Sequence, residues 1–276
     1  MLRLSVLMVE YFSLPDIREC IASLEGMAHG LALSPLVVSN SQYGPEELER
    51  QRAEFGDAVF LSTGANNGYA GGVNFGIENA PEADYFLILN PDARWKEGQL
   101  LELLESLEAD PEVGILGPGV VDAAGRKQPS SRAFPKPLTP LLTRTCLAHT
   151  PAGKRECQRY FQSNMPSQSS PLGRRDADWV SGGAMLVSRA AALRIGPMDD
   201  RYFMYMEDVD WCRTAWSKGL RVVHDPRWEV HHAGQHASLR PGLMRLFSRH
   251  TRCHVGSLVR YFWKWKRSAA GWTERP

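Results

Sequence analysis

The chain has 276 residues, 43% of them apolar, and a formal net charge of +1, enough length for a sizeable core and too little charge for wholesale nucleic-acid binding. Five scattered cysteines without CxxC spacing exclude a disulfide framework or structural zinc site and suit a reducing, cytoplasmic compartment. No apolar run approaches the roughly 18 residues of a membrane-crossing helix, and Glu10 interrupts the first apolar run before it can read as a signal peptide.

Leu2 to Val9 reads as a buried strand, and Ser13, Pro15 and Asp16 as the start of a helix carrying Ile17, Cys20, Ile21 and Leu24 at helical spacing. A second strand (Leu36–Ser39), an acidic helix (Pro45–Phe55) and a third strand (Val59–Ser62) follow. The segment Thr63–Gly76 is rich in glycine and leads into a helix expected to begin near Gly71. Tyr85–Leu89 is a fourth strand, Gly98–Leu107 a Leu-rich helix and Val113–Leu116 a further strand. Between Asp122 and Asp178 periodicity is lost, which marks a functional excursion or an irregular segment. Trp179–Val187 reads as one strand entered through a Ser-Gly-Gly turn. A helix after Arg201–Asp210, with Gly219 as its C-cap, and two short strands (Arg221–Val223, Trp228–Val230) complete the body. The alternation predicts an open, largely parallel α/β sheet whose ligands sit beyond the carboxyl ends of its strands.

Three dispersed polar clusters could converge there. Asn90-Pro91-Asp92 follows an apolar strand; its carboxylate is either a turn residue or a hard oxygen ligand for Mg²⁺ or Mn²⁺. Glu207, Asp208 and Asp210 open a helix, as either a solvated first turn or a catalytic acid cluster. His231 and His232 end a strand as satisfied polar residues or as ligands. The glycine-rich segment lacks both the Gly-Lys-Ser/Thr of a P-loop and the dinucleotide GxGxxG pattern. Ser181 lacks the context of a nucleophile elbow.

Taken in order, Asn67-Gly-Tyr-Ala-Gly-Gly-Val-Asn-Phe-Gly-Ile77, Leu87-Ile-Leu-Asn-Pro-Asp-Ala93, Trp179–Val187, Tyr202–Asp210 and the His231 region resemble the rhamnosyltransferase-type branch of the family 2 glycosyltransferases. The resemblance covers roughly Leu2 to Ser238. It implies a GT-A fold, a single Rossmann-like nucleotide-sugar-binding domain with a mostly parallel central sheet. A donor half (1–120) and an acceptor half (121–238) would be followed by a basic C-terminal helical extension (239–276).

The resemblance also implies roles. Asp208 would be the base of an inverting transfer, with Glu207 supporting it. Asp92 and His231 would hold a divalent metal, Mg²⁺ or Mn²⁺, with His232 as the alternative to His231. Tyr11, Ser39, Asn40, Asn67, Gly68, Asn74, Asn90 and Asp92 would line the donor side, and Trp179, Gly182 and Gly183 the acceptor side. The expected donor is dTDP-L-rhamnose and the acceptor a cell-surface polysaccharide or lipid-linked glycan precursor. Two positions depart from the pattern. Glu10-Tyr11-Phe12 replaces Thr-Tyr-Asn after the first strand, and Ser39 stands where an Asp contacts the nucleobase. The base is therefore left open, and a UDP-sugar transferase, a nucleotidyltransferase and a non-catalytic nucleotide-sugar-binding module remain alternatives.

Residues 239–276 hold nine Lys or Arg against one Glu. Leu243, Leu246, Phe247, His250, Leu258, Tyr261, Phe262 and Trp265 can share one helical face. That face is expected either to lie on an anionic membrane surface, making the protein peripheral on the inner face of the cell membrane, or to cover the catalytic domain or a partner copy.

Overall fold

The computed structural model describes residues 1–27, 29–80, 82–122, 124–161, 173–232, 249–266 and 275. The first half alternates as expected: β1 (Arg3–Glu10), α1 (Leu14–Ala22), β2 (Ala32–Ser39), α2 (Pro45–Glu54), β3 (Val59–Ser62), α3 (Gly68–Glu78), β4 (Tyr85–Leu89), β5 (Ala93–Glu97), α4 (Leu100–Glu108) and β6 (Val113–Val121). The aperiodic stretch is not structureless. It contains β7 (Lys127–Gln128), β8 (Ser131–Arg132), α5 (Thr139–Arg144), a 3-10 turn (Cys146–His149), α6 (Pro151–Tyr160) and β9 (Arg175–Asp176). The strands, α5 and the 3-10 turn are too short to leave a periodic signature, and α6 buries only Gly153 and Glu156, so no apolar stripe marks it. The chain then forms β10 (Trp179–Val180), β11 (Ala184–Ser188), α7 (Arg189–Ile195), α8 (Glu207–Ser217), β12 (Arg221–His232) and α9 (Arg249–Trp265).

Among the described residues ten strands form the main sheet, in the order β3-β2-β1-β4-β11-β6-β12-β5, with β7 on β6 and β9 on β12. Strands β3, β2, β1 and β4 are parallel, as are β6 and β12, while β11 runs antiparallel between β4 and β6. Two expected boundaries shift. Trp179–Val187 is two strands in different sheets, because the Ser181–Gly183 turn redirects the chain from the β8–β10 pair into the main sheet. Arg221 to His232 is one strand, with register shifts between Asp225 and Glu229 that absorb Pro226. The expected acceptor half thus donates β11 and β12 to the sheet that the donor half begins, and the expected boundary at 238 lies outside the described residues.

Each face of the sheet carries its own core. One is built with α1 and α4 around Ile17, Cys20, Leu100, Leu103 and Leu104. The other is built with α3, α7 and α8 around Ala70, Val73, Ile195, Val209 and Trp211. Helix α3 starts at Gly68, three residues before the expected position; the φ of +73° there, and the collision a Cβ would make with the Phe203 carbonyl, call for glycine. A Cβ at Gly72 or Gly76 would run into Val9 or Leu7, so these glycines bring the helix close to the sheet rather than to a ligand.

Helix α9 folds back on the body. Tyr261 is fully buried, and Leu258, Phe262 and Trp265 pack on the α8-side core. The face expected to meet a membrane or the body therefore meets the body, while Leu243, Leu246 and Phe247 lie outside the described residues. No described helix is long and apolar enough to cross a membrane.

Candidate active site

A cleft of about 780 Å³ opens beyond the carboxyl ends of β1, β2 and β4, where Tyr11, Asn40, Asn90 and Asp92 line it. The starts of α3 and α8 close its other side with Gly68, Tyr69, Glu207 and Asp208. Among the described residues three that are not glycine have left-handed backbone, Phe12 (φ 52°), Tyr205 (φ 70°) and Met206 (φ 71°), and the first two line this cleft. Such conformations cost on the order of 1–3 kcal/mol each and persist where surrounding structure imposes them. Here the Tyr205–Met206 pair turns the chain so that α8 begins with its first two carboxylates facing the cleft.

The Gly182–Gly183 turn lies between the acid pair and the Asn-Pro-Asp loop. On one side Gly182 N–H donates to Asp208 Oδ2 (3.0 Å), and a Cβ on Gly182 would sit 3.2 Å from Asp208 Cβ. On the other, a Cβ on Gly183 would sit 3.4 Å from Asn90 Nδ2 and 3.6 Å from His232 Nε2. Two adjacent glycines thus keep Asp208 and the Asp92 region neighbours across one turn.

Asp208 also accepts the Val209 N–H at Oδ1 (2.8 Å). Burial raises its pKa, while those two N–H groups and the Arg132 charge hold it down. Glu207 is 8% exposed and its Oε2 has no partner. Burial, then the charge of Asp208, pushes its pKa well above the usual carboxylate range. Of the two, Glu207 is pushed up further and so favours the proton, while the N–H donors favour charge on Asp208. Asp210, third of the cluster, faces α9 instead, where Lys264 Nζ (2.6 Å) and Trp265 Nε1 (2.8 Å) donate to it.

At the Asn-Pro-Asp loop, Asp92 Oδ1 lies 3.1 Å from His232 Nε2, which is also 3.2 Å from Asn90 Nδ2. Strand alternation turns His231, the expected ligand, to the opposite face of β12, so it is the alternative, His232, that lies beside Asp92. Among the described residues no group of three or more His, Cys, Asp or Glu could hold a metal. One carboxylate and one imidazole do not make a closed structural site, but they fit a cation completed by substrate phosphates and water.

Other expected residues divide. Tyr11, Asn40, Gly68, Asn90, Asp92, Gly182 and Gly183 line the cleft. Ser39 is fully buried and donates to Glu10 Oε2 (2.5 Å). Asn67 is not on the wall; Asn66 is. Asn74 bonds both the N–H and the carbonyl of Met198 (2.8 Å each), so it ties α3 to the loop after α7 instead of touching donor. Trp179 is buried and donates to the Ala133 carbonyl (2.9 Å), away from the wall. Sequence reasoning missed Tyr69, whose hydroxyl donates to the Gly182 carbonyl (2.5 Å), although it stands inside a quoted motif. It also missed Tyr205, His250 and Cys253; the last two arrive from α9 and have no local signal.

Glu10 has the most consequential of the missed roles. Its buried carboxylate accepts from Ser39 Oγ, Ser41 Oγ (3.1 Å), Tyr43 OH (3.0 Å) and the Ser13 N–H (3.1 Å). Glu10 and Ser39 are register partners on β1 and β2. The carboxylate absent at position 39 is thus present one strand over, binding the loops that carry Tyr11, Phe12 and Ser13 into the cleft.

A family model described as Glycosyl transferase family 2 matches residues 5–180. An N-acetylglucosaminyl-diphospho-decaprenol L-rhamnosyltransferase of Mycobacterium tuberculosis (strain H37Rv) is 31% identical over 283 residues, spanning 99% of this chain and 89% of its own. Rhamnosyltransferase WbbL of Escherichia coli (strain K12) is 27% identical, over 64% of this chain and 61% of its own. Among solved structures, mannosyltransferase PcManGT from Pyrobaculum calidifontis in complex with GDP-Man and Mn²⁺ aligns with TM-score 0.59 and 17% identity, over 99% of this chain and 65% of that one. GalNAc-T7 with UDP, GalNAc and Mn²⁺ aligns with TM-score 0.57 and 13% identity, over 84% of this chain and 44% of that one. The sheet order, the cleft at its carboxyl edge and these matches make this chain a member of glycosyl transferase family 2, a rhamnosyltransferase-like glycosyltransferase with the GT-A fold.

Proposed function

We propose that the enzyme transfers L-rhamnose from dTDP-L-rhamnose, with inversion, to a hydroxyl of a diphospho-lipid-linked glycan. The reading rests above all on the placement of a fixed, buried carboxylate, Asp208, one glycine turn away from the Asp92–His232 pair. The relative of 31% identity is named for such a donor sugar and acceptor.

The proton of the attacking hydroxyl passes to Asp208 as the hydroxyl oxygen bonds to the anomeric carbon and the bond to the diphosphate breaks. Two backbone N–H groups hold Asp208 in place, so reorganisation is small. Glu207 stays protonated and leaves the charge on its neighbour. Asp92 and His232 would hold Mg²⁺ or Mn²⁺, which when bound neutralises charge on the departing diphosphate. Tyr11 and Phe12, with ring centroids 4.7 Å apart and 52% and 71% exposed, offer the nucleobase an aromatic shelf.

The test is calorimetric binding and product formation with dTDP-L-rhamnose, UDP-sugars and GDP-sugars in the presence of Mn²⁺, with the product anomer read by NMR. Transfer from dTDP-L-rhamnose with inversion is expected. Faster turnover of a UDP-sugar would overturn the donor reading, and retention would overturn the single displacement.

A further inference from the structure

We propose that the outward face of α9 docks the enzyme on an anionic lipid surface beside the mouth of the cleft. Val255, Val259 and Trp263 recur every fourth residue along α9 and are 53%, 64% and 70% exposed. They form one stripe, roughly 12 Å long at helical rise. The stripe lies away from the buried Tyr261, so it is not the surface that holds α9 to the body.

Its surroundings are cationic. From residue 249 to 266 the sequence has five Lys or Arg and no Asp or Glu. Arg252, Arg260 and Lys266 are exposed there, and Lys266 Nζ rests 3.2 Å from the centroid of the Trp263 ring. Helix α5 reaches α9 through Arg144, whose Nη1 lies 3.3 Å from His254 Nε2; Leu141 on it and Leu138 just before it are exposed. Residues 136 to 159 around it add five Lys or Arg against one Glu.

Charge selects the occupant. A two-fold contact with a second copy would set each cationic stripe against itself, with no carboxylate on α9 to answer it. Anionic headgroups answer the cations, and the acyl boundary takes Val255, Val259 and Trp263. A narrow apolar stripe with charged flanks suits a helix lying in the interface plane. The first turns of the same helix bring His250 and Cys253 to the cleft wall, so the stripe begins within about two turns of the active site. Docking this way would hold the cleft at the bilayer surface, where a lipid-linked hydroxyl is confined.

The experiment uses the full chain, with phosphatidylcholine vesicles alone or containing about one third phosphatidylglycerol, read by co-sedimentation. The wild type is expected to bind the anionic vesicles, and less well as salt is raised. The folded V259E/W263E variant is expected to bind roughly tenfold more weakly, while its rate on a water-soluble acceptor stays unchanged. Binding is read without donor or acceptor, so its outcome is separate from that of the proposed transfer. Absence of binding to anionic vesicles, or equal binding by the variant, would overturn the proposal. A concentration-dependent dimer in ultracentrifugation, abolished by the same substitutions, would instead assign the face to a second copy.

Discussion

At the scale of single residues, the two neighbouring carboxylates at the start of α8 have different work and should respond differently to amidation. Asp208→Asn removes a group needed only in the transition state, so kcat should fall by about 10²–10⁴ while donor affinity holds. Glu207→Gln replaces a protonated carboxyl by a neutral isostere and should keep at least about a third of wild-type kcat, because proton transfer is left to Asp208. Initial rates at saturating substrates, with calorimetry on the same preparations, decide; equal losses in both variants would refute the division. Asp92→Asn and His232→Ala should each weaken Mn²⁺-dependent donor binding, whereas His231→Ala, on the other face of the strand, should not. Titration of donor with and without Mn²⁺ separates the two histidines, and a larger effect at His231 would return the ligand role to it. Glu10 accepts four hydrogen bonds, and its amide counterpart would present a donor group to hydroxyls that now donate. Glu10→Gln should therefore raise the donor Kd roughly tenfold through the Tyr11–Ser13 loop, at about the cost of one charged hydrogen bond. An unchanged Kd in the folded variant would show that Glu10 serves stability alone.

Among the elements, α9 takes one of the two positions the sequence left open, and its attachment is polar as well as apolar. Arg213 is fully buried against the rings of Phe134, Tyr261 and Trp265, at 4.8, 5.8 and 4.9 Å, and donates to the Tyr261 hydroxyl (3.0 Å). Asp210 is buried enough to raise its pKa, and Lys264 does most to hold it down. Lys264→Ala should destabilise the fold by about 2–3 kcal/mol, below the full cost of orphaning a buried charge because the Trp265 N–H and Tyr202 hydroxyl still donate. A urea titration measures it, and a loss below about half a kcal/mol would show the pair to be an ordinary surface bridge. The helical periodicity of 258–265 was legible in the sequence. Which of two partners the apolar face would choose was not, since a buried Tyr and a membrane-facing Tyr have the same spacing.

For the whole molecule, acid sensitivity follows from imidazoles the fold has removed from water. Burial lowers His224 to about 4, and burial with the Arg144 charge lowers His254 to about 4, against an ordinary value of 6.5. Below 6.5 the unfolded chain binds protons that the folded chain refuses, so this contribution is complete above 6.5 and is lost as pH falls through about 4. Glu207 acts with the opposite sign: its folded carboxyl keeps a proton that the unfolded chain releases, so stability falls as pH rises above about 4.3. Comparing urea midpoints of wild type and the H224Q/H254Q variant between about pH 7.5 and 5 cancels the Glu207 contribution. The variant should show the smaller acid loss; parallel losses would place the titration elsewhere. The alternating apolar runs through Leu116, the Asn-Pro-Asp and Glu-Asp motifs and the glycine-rich segment could be read directly, because buried strands and helix starts impose local patterns on neighbouring residues. Those patterns carried the family, the α/β class and part of the cleft wall, including Asp92 and Asp208. Tertiary structure alone set His232 rather than His231 beside Asp92, sent Asp210 to Lys264 and joined Glu10 to Ser39. Each of these choices depends on which way a side chain faces across strands or helices distant in sequence, a matter of register and packing that local spacing does not encode.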